Sequence, residues 1–199
     1  MELLNYFSYN SVVVLSMFLI SFVEIILNSL TGGWLTDTLF STERASLLNP
    51  FTYVRFITHS LGHRDWEHFS NNYMKILLLG PLIEEKYGMI NLIIMLVITS
   101  VVIALVNFIK GKTNLCGASG ICFMLIVLSS VVNISNHKVP LTFVLVIIFY
   151  IIDELVNIFK DRKSNISHSS HLIGALCGGA FGYLSLYTNF FNQVINIIK

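Results

Sequence analysis

A serine and a histidine, which together can break an acyl bond, stand at the starts of two separate apolar runs. Ser119 lies in Gly117-Ala118-Ser119-Gly120, and His171 closes His168-Ser169-Ser170-His171. Peptide hydrolysis needs an activated hydroxyl, a base within hydrogen-bond reach, and donors that hold the oxyanion. Neutral histidine is the usual base, so Ser119 is the candidate nucleophile and His171 the candidate base. His68 and Asn72 are four residues apart and share one helical face, one turn apart. Both side chains can donate to a developing oxyanion. The serine motif is not the G-x-S-x-G elbow of soluble hydrolases, because Ile121 occupies its last position.

The elements that must position these residues are membrane helices. Of 199 residues, 55% are hydrophobic and 12% are charged, and the mean hydropathy is +0.75. Soluble domains carry about 25% charged residues, so the composition describes an all-α membrane protein. A net charge of +1 leaves no electrostatic footprint for nucleic acid. Cys116, Cys122 and Cys177 lie at or inside apolar runs without metal-site or disulfide spacing, so no metal and no cofactor is expected. The N-terminal stretch has no basic n-region and no small-residue cleavage site, which predicts a retained first helix.

Six spans are expected, at about 10–30, 67–86, 89–110, 117–134, 140–159 and 170–190, each near the length that crosses a bilayer. They make one membrane domain over 1–199. The linker from about 31 to 66 is long and aromatic, with Trp34 and Trp66, and is expected to fold in the interface. With alternating direction, the second, fourth and sixth spans begin on one side. His68, Ser119 and His171 open those three spans and therefore share one depth.

Glycines should bring the spans together. Gly174, Gly178 and Gly182 follow His171 at three, seven and eleven residues, making a smooth stripe. Such stripes let membrane helices approach closely, and Gly117 and Gly120 are expected to serve that approach from the serine helix. Because the stripe begins beside His171, that residue rather than His168 is taken as the base.

Taken together, these motifs resemble those of the rhomboid proteases. The resemblance runs from about Pro50 to Tyr187 and rests on His68-Phe69-Ser70-Asn71-Asn72, on Gly117 to Gly120, and on His171 to Gly178. Arg55 to His59, His63, and the Gly80–Gly88 segment with Glu84 and Glu85 support it. It implies a six-transmembrane-helix bundle that cleaves transmembrane segments of other membrane proteins. It also implies a Ser119–His171 dyad without a third acid, and an oxyanion hole of His68, Asn72 and the Ser119 backbone N–H. The first loop would pack on the bundle, and the fifth helix would gate substrate entry. The sequence departs from the pattern at Val54, where the family often has Trp, which leaves loop anchoring to Arg55. It departs again at Phe123, where Tyr is frequent; Phe can stack on the histidine but not hydrogen-bond.

The expected setting is a multi-pass protein of a prokaryotic plasma membrane, its N-terminus cytoplasmic and its active site outward. The basic residues run the other way. Lys86, Lys138 and Lys199 fall inside, while Arg44, Arg55, Arg64, Lys110, Lys112, Lys160, Arg162 and Lys163 fall outside. Three of the outer ones lie in the first loop, and Lys110 and Lys160 can snorkel at helix ends. Expected partners are transmembrane substrates and the bilayer, with no nucleic acid.

Two other classes remain. An inactive rhomboid-like binder of transmembrane segments normally lacks the serine or the histidine, and both are here. A small transporter is suggested by Glu24, Lys75, Asp153 and Glu154 within spans, but internal symmetry is absent. Lys75 sits about 10 Å deeper than His68, at a depth similar to Glu24. An ammonium at that depth needs a partner, and Glu24 is the expected one, with Asp153 or Glu154 as runner-up.

Overall fold

The computed structural model describes residues 11–43, 45–111, 114–131, 141–152, 156 and 168–187. Regular structure among them is helical, apart from one antiparallel bridge between Thr42 and Leu115. In chain order the helices are α1 (Val12–Leu30), α2 (Trp34–Leu39), α3 (Pro50–Thr58), α4 (Trp66–Tyr87), α5 (Met89–Lys110), α6 (Ser119–Val131), α7 (Leu141–Val146) and α8 (His168–Tyr187). A π-helical stretch, Ile147–Ile152, continues α7. Among the described residues, α1 and α5 are long and apolar enough by themselves to cross a bilayer.

The distribution of side chains is that of a lipid-facing protein. Leu19, Val23, Met74, Leu78, Ile93, Ile109, Leu176 and Tyr183 are exposed, while Ser21, Glu24, Asn28, Asn72, Glu84, Thr99, Ser100 and Asn107 are buried. Water would not tolerate that much open apolar surface. Polar groups inside a bilayer protein turn inward, where partners meet them.

Helix ends follow from local chemistry. Asp65 caps α4 by accepting from the His68 N–H at 2.7 Å. Gly88, at φ 82°, ends α4 and starts α5 in one sharp turn. α1 has no side-chain cap of its own sequence neighbourhood. Glu84 of α4 supplies one instead, accepting from the Ser11 hydroxyl at 2.5 Å and from the N–H groups of Val13 (3.1 Å) and Val14 (3.3 Å). A carboxylate at a helix N-terminus also complements the helix dipole. Phe18 and Phe22 of α1 meet Phe69 and Tyr73 of α4 at ring separations from 5.4 to 6.1 Å.

α6 is the central helix, packed against α4, α5, α7 and α8. Met124, Leu125 and Leu128 on it are fully buried. The first loop folds as α2 and α3, with α3 lying on α5.

Two expectations are corrected. Lys75 does not pair with Glu24; its Nζ donates to the Asn71 carbonyl at 2.6 Å, on its own helix. Both Glu24 oxygens are already used, by the Thr36 hydroxyl (2.5 Å) and the His63 N–H (3.0 Å). Asp153 and Glu154, the runner-up partners, lie outside the described residues. The first loop is also not anchored by Arg55 alone. Arg55 pairs with Glu43 at 3.3 Å, but α1 holds the loop through Glu24 and Asn28, and Thr42 pairs its backbone with Leu115.

Candidate active site

The strand-like segment before Ser119 is fixed by the first loop. Thr42 N–H donates to the Leu115 carbonyl (2.8 Å) and Leu115 N–H returns the bond (3.0 Å). Asn107 of α5 donates to the Thr42 carbonyl at 3.1 Å, and Arg64 donates to the Asn114 carbonyl. Two residues before Ser119, Gly117 N–H donates to the His59 carbonyl at 2.8 Å. These bonds set where the segment turns into α6. Ser119 is then the first residue of that helix, half-buried, where backbone N–H groups have no intrahelical acceptor.

Gly117 does something other than join helices. It lies ahead of α6 with φ 117°, a region that L side chains rarely adopt. A Cβ there would also stand 2.6 Å from His68 Nε2. The glycine thus lets the His68 ring lie flush against the backbone leading to Ser119, rather than serving helix packing.

Asn72 faces the first turn of α6. It is buried, and Cys122 Sγ, three residues beyond Ser119, donates to the Asn72 carbonyl at 3.4 Å. The Asn72 Nδ2–H donates to His63 Nε2 at 3.1 Å. His63 can accept because its Nδ1–H is spent on the Leu61 carbonyl, 3.2 Å away. Burial, with His68 nearby adding to it, holds the His63 ring down to about 3, so the ring is neutral at ordinary pH. His59, also buried, is lowered to about 4. The His63 and His68 rings meet edge to face at 5.1 Å.

His171 reaches the same face of α6 from the first turn of α8. Its ring stacks on Phe123 at 4.5 Å with 9° between planes. Phe123 is four residues beyond Ser119, on the Ser119 side of the helix. The His168 ring stands perpendicular to that of His171 at 6.3 Å. The two helices approach to backbone contact. A Cβ on Gly174 would overlap the Gly120 carbonyl, with its carbon 2.8 Å away, and one on Gly178 would overlap the Met124 carbonyl oxygen. Gly120 in turn lies under Ile103 of α5 and against the Ser170 carbonyl.

Four of the residues singled out by spacing thus surround the start of α6: Ser119 itself, His68 over Gly117, Asn72 beside Cys122, and His171 over Phe123. Glu24, Asn28 and Thr36 were not foreseen as supports. They are distant in sequence and meet only when the first loop folds back onto α1. Among the described residues no cluster of ligands could hold a metal.

Residues 50–188 match the model of the Rhomboid domain family. Among curated proteins, rhomboid-like protein 11, chloroplastic, of Arabidopsis thaliana is 27% identical over 165 residues. That alignment takes in 74% of this chain and 59% of the relative, so the chain spans about three fifths of that protein's length.

Proposed function

The chain belongs to the rhomboid family of membrane proteins, a serine protease family, and from that premise we propose that it is an active intramembrane endopeptidase cutting transmembrane segments of other membrane proteins. Ser119 is the nucleophile, His171 the general base, and His68, Asn72 and the Ser119 backbone N–H form the oxyanion hole. The observation that carries the reading is the His171–Phe123 stack, which sets an imidazole over the helical face that bears Ser119.

The chemistry proceeds in two halves. Ser119 Oγ attacks the scissile carbonyl carbon while its proton passes to His171. Negative charge gathers on the carbonyl oxygen, where the three donors receive it. The C–N bond then breaks, and the leaving amine takes the proton from the imidazolium. Water, deprotonated by the same imidazole, attacks the acyl ester, and the proton returns to Ser119. No acid is required behind His171 in this scheme, because the face-to-face Phe123 ring restrains the imidazole plane. Displacement of α7, which packs on α6, would give transmembrane segments lateral access. The whole chain, 1–199, acts as one membrane domain with the site toward the outer face of a prokaryotic plasma membrane.

The test is cleavage of generic transmembrane substrates by purified protein in detergent. Wild type should release two fragments and Ser119→Ala none. A wild-type protein that binds such segments without cutting them is instead a rhomboid-like binder.

A further inference from the structure

Glu24 is a buried acid on a membrane helix, and among the described residues no ion pair includes it. Burying a carboxylate is costly unless hydrogen bonds compensate, so its partners show what it is for. Its Oε2 accepts from the backbone N–H of His63 at 3.0 Å, and its Oε1 from the Thr36 hydroxyl at 2.5 Å. One turn along α1, Asn28 Nδ2 donates to the His63 carbonyl at 3.3 Å, and Asn28 Oδ1 accepts from the Thr36 N–H at 3.0 Å. The backbone donor and acceptor of one residue, His63, are therefore both gripped by α1. That grip fixes the peptide planes on either side of His63 and so the position of its ring.

The ring has one free nitrogen, since Nδ1–H is engaged by Leu61. Its Nε2 accepts from Asn72, 3.1 Å away. An unrestrained asparagine amide can present oxygen or nitrogen to the same space, and an oxygen turned toward an oxyanion would repel it. An acceptor at His63 selects the orientation with nitrogen toward the ring and leaves Asn72 one further N–H to donate.

We propose that Glu24 is a positioning residue for the oxyanion hole, acting through the His63 backbone and ring on the Asn72 amide. The inference rests on the protease reading above. It assigns α1 a part in catalysis through its hold on the first loop.

A double-mutant cycle on the full chain in detergent tests it, with kcat, KM and the thermal midpoint measured for each variant. Glu24→Ala should lower kcat about 10-fold with KM changed less than about twofold, and Asn72→Ala should lower it about 100-fold or more. In the Asn72→Ala background, Glu24→Ala should cost no further kcat, while its effect on the thermal midpoint persists. Glu24→Gln keeps a carbonyl acceptor for the His63 N–H and should restore most of kcat. Losses of kcat that multiply in the double variant, or a Glu24→Ala kcat equal to wild type, overturn the proposal and leave Glu24 a purely structural clamp. If Glu24→Ala does not fold, Asn28→Ala goes through the same cycle with the same two outcomes. A wild-type chain that cuts nothing contradicts the protease reading itself, and the inference with it.

Discussion

At the scale of residues, Gly117 and Phe123 carry constraints that other side chains do not meet. Gly117 combines a positive φ with the His68 ring lying on its backbone. Gly117→Ala should abolish proteolysis in a protein that still purifies as a monodisperse species, because His68 must leave the serine. Wild-type turnover in that variant would contradict the packing. Phe123→Leu removes the stack under His171, an interaction worth about 0.5–1.5 kcal/mol, so kcat should fall about 2- to 12-fold. Phe123→Tyr should stay near wild type, and an unchanged Phe123→Leu would mean that the stack does not orient the base. The residues proposed for the site could be singled out because their types and spacing are local: a four-residue step for His68 and Asn72, a glycine-flanked serine, a histidine ahead of a glycine stripe. The partner of Glu24 was not legible. Depth alone suggested Lys75, but depth does not say which way a side chain turns. Thr36 and His63 reach Glu24 only through the fold of the first loop.

At the scale of elements, the proposed site depends on α8 lying against α6 and on the first loop lying against both α1 and the segment before α6. Gly178→Leu should separate α8 from α6 and cut activity by more than about tenfold, since a misplacement of about 1 Å can cost 100-fold. Wild-type activity and stability in that variant would remove the close-approach argument. The loop contributes a pH signature. His59 and His63 are held neutral well below their ordinary value of 6.5. From pH 6.5 down to about 4 for His59 and about 3 for His63, the unfolded chain therefore binds protons that the folded chain refuses, and stability falls as pH falls. The thermal midpoint in detergent should be flat above pH 7 and decline below 6.5, with a shallower decline in His59→Leu. An equal slope in that variant would show that His59 is not held neutral. Apolar run length foretold the long helices well. The cap of α1 escaped sequence reading, because Glu84 reaches α1 from a helix more than 70 residues away in the chain.

At the scale of the whole molecule, apolar residues face out and carboxylates, amides and hydroxyls face in, with Glu84 at one end of α1 and Glu24 toward the other. The two acids tie the first helix to α4 and to the loop, and so to both halves of the proposed site. Composition already announced the membrane. The measurement that bears most directly on the central claim is covalent labelling of the purified protein with a fluorophosphonate, read by intact mass. One adduct per chain is expected, mapped to Ser119, absent in Ser119→Ala, strongly reduced in His171→Ala and retained in His168→Ala. An unlabelled wild type, an adduct that survives Ser119→Ala, or full labelling of His171→Ala with loss in His168→Ala would contradict it.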